Sequence, residues 1–335
     1  MKRTATVLGA LALATTANGA LAADYELKFS SMFPSTHFIQ TLALDPWAAE
    51  IEEKSGGRIN ITFFPAGSSL GDATRQFDQV RAGVVDFSVG IPPIPRGRHP
   101  RTVLVELPFV VPDAEVGTCA LMAMKDTLQP DFPGTHILSL TTTEPSAAHL
   151  RGEVTSLDDL KGMRVRTPSP AITAMLETIG ATPVGMPPTE IYESVERGVV
   201  DGNIMPWGPV GAFKLWEVLN THVDAAINPV SMYILMNERR YESMPDDLKA
   251  IIDDVSAETF ANWGRWWQET DQEAIDAAKA NGNTVITLSD EERDAWRERL
   301  TPVIDTYLAE NSDMDADDAR SLYAEIQQAV ENCQQ

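Results

Sequence analysis

The stretch from residue 157 to residue 207 places the strongest constraint on the fold of this chain. It contains two short strand-like pieces, at 163–166 and 203–205, and a proline follows closely after each of them. Proline cannot donate to a sheet ladder, so both strands are expected to end there, and an amphipathic segment lies beyond each one. This pattern indicates an α/β sheet in which both strand ends deliver side chains to one edge.

Arg166 lies at the end of the first of these strands and is the leading candidate for ligand binding. Ligands of open α/β sheets gather at the carboxyl ends of the strands. A guanidinium carries five N–H donors in a planar fork, which matches a carboxylate and stays charged at physiological pH. Arg164 is expected to point to the same face but lies farther from the strand end. The alternative for Arg166 is a structural ion pair with one of the 49 acidic residues.

The amino-terminal part of the chain also alternates between strand and helix patterns. Strands are predicted at 27–32, 59–63 and 85–89, and helices at 38–54 and 69–81. Pro46 is expected to kink the first helix or to open a second one with Asp45 as its cap, and Gly83 is expected to end the helix before it. Two further strands, at 135–143 and 231–237, are predicted to connect two α/β lobes through a hinge.

Residues 245–280 form the longest helical pattern, 36 residues without an internal proline. One continuous helix of that length would be about 54 Å long, so it is expected to run along both lobes. Trp263, Trp266 and Trp267 fall on one face of it, where core packing is favoured over ligand contact.

Several motifs, in this order and spacing, resemble those of the DctP-type substrate-binding proteins of TRAP transporters. Within the central stretch they are KGMRVRTP at 161–168, GATP at 180–183, EIY at 190–192 and VDG at 200–202. The likeness extends to FS at 29–30 with Pro34, SGGR at 55–58, PAG at 65–67, DF at 86–87 and LPF at 107–109. It covers nearly all of the chain beyond its amino terminus.

The resemblance implies a type II-like, two-lobed periplasmic binding protein with hinge strands and a long helix spanning both lobes. We predict a first lobe from 23–143 plus 237–262 and a second lobe from 144–236 plus 263–335. Arg166 occupies the position that the family uses to clamp a substrate carboxylate. The family also implies TRAP membrane subunits as partners, driven by an ion gradient, and a non-enzymatic role.

The chain departs from its relatives at two positions near the predicted ligand. Met205 stands where many relatives carry an asparagine, and Ser146 stands where some relatives that bind larger acids carry an arginine. The predicted pocket is therefore partly apolar. Its candidate ligand-binding residues are Arg166, Trp207, Met205, Phe33, His37, Ser146, Met186 and Asn203.

Such a pocket suits a monocarboxylate with a hydrophobic or aromatic body. A sulfonate could use the same guanidinium fork, and a zwitterion such as ectoine could use Trp207 for a cation–π contact. A sensor input module or a scavenger with the same fold is an alternative to a transport role. Each of these readings requires a ligand that bridges the two lobes and stabilises the closed form.

Residues 1–22 read as a secretory signal peptide, with a basic start, a short apolar run and a small-residue cleavage site. The apolar run is too short to span a bilayer, so an exported protein that is not membrane-embedded is expected, in the periplasm of a Gram-negative cell. The net charge of −23 makes nucleic acid an unfavourable partner. Cys119 and Cys333 form either a disulfide or two separate thiols.

A secreted serine hydrolase is a remote alternative. Residues 67–71 match the Gly-x-Ser-x-Gly pattern around Ser69, and His149 or His222 could complete a triad. The five histidines lack metal-ligand spacing, so no metal site is expected, and without a phosphate loop or dinucleotide fingerprint no cofactor is expected.

Overall fold

The computed structural model describes residues 23–311 and 313–335, so the predicted signal peptide at 1–22 lies outside the described residues. Two β-sheets, each covered by helices, form two lobes there. The strands are β1 Tyr25–Ser31, β2 Ile59–Phe64, β3 Phe87–Gly90, β4 Thr135–Thr142, β5 Ala147–Leu150, β6 Arg164–Thr167, β7 Thr182–Gly185, β8 Gly202–Met205, β9 Thr221–Asp224, β10 Ser231–Asn237 and β11 Thr284–Thr287.

The helices follow the strands in the alternation expected of an α/β protein. They are α1 Asp45–Lys54, α2 Gln76–Ala82, α3 Ala114–Ala123, α4 Lys125–Leu128, α5 Pro170–Thr178, α6 Ile191–Glu196, α7 Trp207–Ala212, α8 Glu238–Glu242, α9 Asp246–Phe260, α10 Trp263–Ala280, α11 Asp290–Thr306 and α12 Ala316–Cys333. Within the described residues, none of them is both long and apolar enough to cross a bilayer.

The first sheet has the strand order β2-β1-β3-β10-β4, and β10 runs antiparallel to both of its neighbours. Its core is aromatic: the Trp47 ring lies edge-on to Phe29 and Phe87, with centroids 5.7 and 5.3 Å away. Trp47 Nε1 donates to Ser256 Oγ at 2.9 Å. This buried donor therefore has its partner, and α1 is joined to α9 on one face of the sheet.

The second sheet has the order β11-β9-β5-β8-β6-β7, with β5 antiparallel to β8 and β9. The loop after β6 is short because Ser169 caps α5 and Pro170 occupies its first turn. Ile172 and Leu176 of α5 are fully buried against the sheet. This packing holds the end of β6, where Arg166 lies, between the sheet and a helix start.

Two chain segments cross between the lobes side by side, one after β4 and one before β10. Thr143 N donates to Val230 O at 3.0 Å, and Val230 N donates to Thr143 Oγ1 at 2.9 Å. Ser146 N donates to Asn228 O at 2.6 Å, and Ser146 O accepts from Ile227 N at 2.9 Å. The two crossing segments therefore pair with each other, as do the two predicted hinge strands, β4 and β10, from which they lead.

The predicted helix at 245–280 is two helices, α9 and α10, separated at Ala261 and Asn262. α9 packs on α1 and β4 of the first lobe, whereas α10 packs on α7 and β11 of the second lobe and on α3 of the first. The break lies where the packing partners change, so a single straight helix would not serve both surfaces. Together the two helices run along both lobes, as predicted.

The structure also places two elements differently from the predicted lobe division. β10 was assigned to the second lobe except for its last residue, but it pairs with β3 and β4 in the first sheet. α12 lies within the segment 263–335 assigned to the second lobe, but it packs on α3. Its apolar face joins the same buried cluster as Leu121 and Leu128. In both cases the element packs against a partner that is distant in sequence, and the sequence pattern does not indicate that partner.

Cys119 of α3 and Cys333 at the end of α12 form a disulfide, with their Cα atoms 6.0 Å apart and a sequence separation of 214 positions. The sequence left open whether these cysteines form a disulfide or two separate thiols, and the structure contains the disulfide.

The segment before α2 departs from the predicted helix at 69–81, since α2 begins only at Gln76. A Cβ at Gly71 would collide with the Pro65 carbonyl oxygen, so the chain folds back on itself there. Pro46 lies in the first turn of α1 and Gly83 ends α2 in the left-handed conformation, as predicted. The prediction of Asp45 as the cap is wrong, because Asp45 is the first residue of α1 and Leu44 occupies the cap position.

Candidate functional site

A narrow cavity of about 50 Å³ lies between the lobes, where the carboxyl ends of β1, β3, β6 and β8 meet the hinge. We call it the interlobe cavity. It is lined by Met32, Phe33, His37, Ile91, Thr143, Arg166, Pro168, Pro188, Met205, Pro206, Pro209, Phe213, Val230, Met232 and Trp267. A cavity of this volume holds only a few water molecules. A ligand as large as an aromatic acid therefore needs the lobes or the lining side chains to move apart.

A wider, open hollow of about 380 Å³ adjoins it, lined by residues of both lobes that include Arg96 and Met186. Pro168 borders both spaces. We take the interlobe cavity as the binding site, because it contains the buried charge, and the wider hollow as the mouth of the cleft.

Arg166 is almost fully buried, with 2% of its surface exposed. Nε and Nη2 donate to Met186 O at 3.1 and 3.0 Å, and Nη1 contacts Asn203 Oδ1 at 3.4 Å. These partners are neutral, and burial lowers the pKa of Arg166 to about 9, so the guanidinium is still charged at pH 7. No carboxylate of the described residues forms a salt bridge with it.

Arg164 has a different environment on the same strand. Its guanidinium is exposed and forms a salt bridge with Asp201 at 2.7 Å. The structural ion pair considered for Arg166 is therefore made by Arg164 instead. Arg166 keeps an unpaired charge beside the cavity.

The hydrogen bonds of Arg166 leave part of its fork unused. Three of the five N–H groups are directed to Met186 O and Asn203 Oδ1, so two remain, one on each terminal nitrogen. Two such N–H groups can bind both oxygens of a carboxylate.

His37 is not an exposed loop residue, because its ring is stacked between Phe33 and Phe38 at centroid distances of 4.4 and 4.6 Å. Nδ1 accepts from Ile39 N at 3.2 Å, and Nε2 is buried without a partner in the described chain. Burial lowers the pKa of His37 to about 3. The ring is therefore neutral at pH 7.

The structure brings together only some of the predicted ligand-binding residues. Arg166, Phe33, His37 and Met205 line the interlobe cavity. Met186 contributes its carbonyl oxygen and Asn203 its amide oxygen to the placement of Arg166.

Trp207 and Ser146 do not line the cavity. The Trp207 ring packs on His149 and His222, with centroids 4.8 and 4.9 Å away, because its backbone N is held at the start of α7 by Asp271 of α10. Ser146 is buried within the paired hinge segments. The proposed cation–π contact of a zwitterion with Trp207 therefore has no support from this geometry.

Sequence reasoning missed Trp267, Phe213 and Ile91 as lining residues. Ile91 directly follows β3, so the strand-end rule that selected Arg166 could have found it. Trp267 carried no such signal, since its helical face was consistent with core packing.

The residues of the hydrolase alternative do not form a triad. Ser69 is exposed on a turn. His149 and His222 face each other with their Nδ1 atoms 2.9 Å apart, and their Nε2 atoms contact Met205 O and the Asn283 side chain. All four ring nitrogens therefore contact groups other than Ser69. Within the described residues, no group of three or more His, Cys, Asp or Glu side chains could hold a metal ion.

Glu106 is a buried carboxyl group at the hinge. Its Oε1 accepts from both Ser231 N and Ser231 Oγ at the start of β10, and the side chain of Ser169 also hydrogen-bonds the carboxyl group. Burial raises the pKa of Glu106 to about 7. Below about pH 7, the neutral carboxyl form is therefore favoured in the folded protein.

Replacing Glu106 with glutamine is expected to reduce the loss of stability as the pH rises. In the wild type, the free energy of unfolding should fall between pH 4.5 and about pH 7, because the carboxyl group ionises more easily in the unfolded chain. Glu106→Gln removes a contribution on the order of 3 kcal/mol. The measurement is urea denaturation at pH 5 and pH 8, with the exposed Glu153→Gln as control. Parallel pH profiles of wild type and Glu106→Gln would show that Glu106 is not responsible.

Comparison with known proteins agrees with this geometry. The model of the DctP family, bacterial extracellular solute-binding protein family 7, matches residues 29–311. The 2,3-diketo-L-gulonate-binding periplasmic protein of Escherichia coli is 28% identical over 261 residues, which are 75% of this chain and 77% of that protein.

Two solved structures have the same two-lobed fold. A TRAP solute-binding protein from Rhodoferax ferrireducens, in complex with copurified benzoate, has a TM-score of 0.86 and 29% identity over 92% of this chain and 98% of that one. A marine metagenome TRAP solute-binding protein specific for aromatic acid ligands, in complex with metahydroxyphenylacetate, has a TM-score of 0.87 and 29% identity over 93% of this chain and 100% of that one. The resemblance and the predicted fold class are confirmed, and the chain belongs to the DctP family of bacterial extracellular solute-binding proteins.

Proposed function

We propose that this protein captures a small monocarboxylate with an aromatic or apolar body in the periplasm and delivers it to a TRAP-type membrane transporter. The observation that carries the proposal is the buried guanidinium of Arg166, which lies beside the interlobe cavity without an acidic partner in the described chain.

A buried charge without a counter-ion is unfavourable, because it has lost its hydration and gained no opposite charge. The two free N–H groups of Arg166 can obtain that counter-ion from a ligand carboxylate. The energetic cost of an empty site is then relieved on binding. Arg166 belongs to the second lobe and Phe33 and Ile91 to the first, so a ligand between them favours closure through contacts that the open form lacks.

The remaining walls indicate the body of the ligand. Met32, Phe33, Ile91, Phe213 and Trp267 present apolar or aromatic surface to the cavity. Such walls favour an aromatic or branched acid over a strongly polar sugar acid.

The comparisons support this choice. The Rhodoferax relative binds benzoate, and the marine relative binds metahydroxyphenylacetate and, in a second structure with 28% identity, 3-hydroxybenzoate. Membership of the DctP family supports the proposed delivery to TRAP membrane subunits and the proposed periplasmic location.

Aromatic monocarboxylates are expected to raise the melting temperature of the purified protein. A ligand at a hundred times its dissociation constant adds about 2.7 kcal/mol to the free energy of unfolding. A thermal-shift screen should compare benzoate, phenylacetate and 3-hydroxybenzoate with succinate, benzenesulfonate and ectoine. The proposal requires a shift with the aromatic carboxylates and little or none with succinate and ectoine. Shifts with succinate or ectoine alone would contradict it.

Protein purified from cells can already contain a ligand, as the benzoate complex of the Rhodoferax relative illustrates. The screen should therefore be repeated on protein that has been unfolded in denaturant, dialysed and refolded with its disulfide intact. Mass spectrometry of the released small molecules then identifies any acid that the cells supplied. A released dicarboxylate or cation would count against the proposed ligand class.

A further inference from the structure

Two buried nitrogen atoms on residues that line the interlobe cavity have no hydrogen-bond partner among the described residues. They are Nε2 of His37 and Nε1 of Trp267. Buried polar atoms of folded proteins are nearly always paired. Other buried atoms of the described residues also lack a partner, but these two belong to residues that line the interlobe cavity, so a ligand bound there can supply the missing partner.

Both atoms are donors. In His37, Nδ1 accepts from Ile39 N, so the proton of the neutral ring is on Nε2. The stacking between Phe33 and Phe38 fixes the plane of the ring. The indole Nε1 of Trp267 can only donate.

The cavity offers little to a ligand donor. Among the residues that line it, Thr143 has the only side-chain oxygen, and this oxygen accepts from Val230 N and donates to Glu144 O. The side chains free to bind a ligand are thus the donors of Arg166, His37 and Trp267. A ligand with an ammonium group would lack acceptors there.

The donors also differ in charge and in lobe. Arg166 is charged and lies in the second lobe, whereas His37 is neutral and lies in the loop after β1 of the first. A carboxylate is best matched by Arg166, and the neutral donors suit a neutral acceptor oxygen.

We infer that the ligand carries, besides its carboxylate, a neutral hydroxyl or carbonyl oxygen that accepts hydrogen bonds from His37 Nε2 and Trp267 Nε1. His37 then determines specificity between hydroxylated or oxo-substituted aromatic acids and their unsubstituted parents. This inference rests on the proposed function and specifies its ligand class. Because the contact joins the ligand to the first lobe, it also favours the closed form.

The test uses pairs of probes and matched variants. Dissociation constants are measured by calorimetry at pH 7 for benzoate, the three hydroxybenzoate isomers, phenylacetate, 3-hydroxyphenylacetate and isophthalate. His37→Asn keeps an acceptor for Ile39 N but removes the distal donor, whereas His37→Gln keeps a distal N–H. Trp267→Phe removes the second donor and keeps an aromatic ring.

In the wild type, at least one hydroxylated acid is expected to bind about tenfold or more tightly than its parent, because an unpaired buried donor is costly. This ratio should fall towards one in His37→Asn, fall partly in Trp267→Phe, and be largely retained in His37→Gln.

Three results would overturn the inference. The first is a wild type that binds every parent acid as tightly as its hydroxylated forms. The second is a ratio that is unchanged in both His37→Asn and Trp267→Phe. The third is isophthalate, with its second carboxylate, binding more tightly than 3-hydroxybenzoate. None of these three results contradicts Arg166 as the carboxylate site or aromatic acids as the ligand class. If none of the aromatic acids binds, however, the proposed function is overturned as well.

Discussion

Replacing Arg166 with alanine is expected to abolish the binding of carboxylate ligands and to leave the protein folded. The side chain is 2% exposed and holds the only formal charge on the lining of the interlobe cavity, among the residues described. Truncating one partner of a buried, hydrogen-bonded charge pair costs about 2–5 kcal/mol, or roughly 30- to 5000-fold in affinity. Calorimetric titration with the tightest acid from the thermal-shift screen measures this loss.

The stability of the ligand-free variant should behave differently from its affinity. Arg166→Ala removes a buried charge that has only neutral partners, so the ligand-free melting temperature should stay close to the wild-type value or rise. A large fall would mean that the hydrogen bonds to Met186 and Asn203 are a main support of the second lobe. Arg166 would then be structural.

Arg164 provides a matched control on the same strand and the same face. Its guanidinium is exposed and paired with Asp201, so Arg164→Ala should leave the affinity within about twofold. Arg166→Lys should recover little, because an ammonium group does not reproduce the planar fork. Equal losses in Arg164→Ala and Arg166→Ala, or full affinity in Arg166→Ala, would contradict the assignment of the carboxylate site.

The position of Arg166 could be predicted from sequence because it depends on local features. A short strand, a proline just beyond it and a capped helix determine where β6 ends, and all three are visible in the order of residues 163–170. Phe33 and Met205, which were predicted for the pocket on other grounds, also lie just after or at the end of a strand and line the cavity. Strand ends are thus the part of this site that sequence patterns describe well.

Trp207 and Trp267 show that the direction of a side chain at this site could not be predicted from sequence. Trp207 follows β8 as closely as the strand-end rule requires, yet its ring turns to His149 and His222, and its backbone is bound to Asp271. Trp267 lies 60 positions later on a helix and reaches the cavity instead. The outcome depends on how α10 packs against α7, which is a contact between distant elements.

The fold also has features that depend on local sequence and features that depend on contacts between distant elements. The bounds of the seven predicted strands agree with the structure to within one or two residues, whereas β5, β7, β9 and β11 were not predicted. The sheet to which β10 belongs and the lobe on which α12 packs depend on distant partners instead. The break at Ala261 and Asn262 contains no proline or glycine, and the nearest glycine, Gly264, lies within the first turn of α10. It arises from packing against both lobes.

Removing the disulfide between Cys119 and Cys333 is expected to lower the stability of the protein strongly without changing its affinity for ligand. The bridge closes a loop of 214 residues and ties α12 to α3. The loss of such a bridge typically costs about 2–5 kcal/mol, mainly because the unfolded chain gains freedom. The double variant Cys119→Ser/Cys333→Ser should therefore melt on the order of 10 °C below the wild type.

The separation of stability from affinity follows from where the bridge lies. α3 and α12 share one buried cluster of the first lobe, and neither contributes a residue to the interlobe cavity. The double variant should bind the same acids with dissociation constants within about twofold of wild type, measured well below its melting temperature. Reduction of the wild type with dithiothreitol should lower its melting temperature in the same way and leave the double variant unaffected. A variant as stable as the wild type would mean that the packing of α12 on α3 is sufficient, and a large loss of affinity would mean that α12 influences the closure of the lobes.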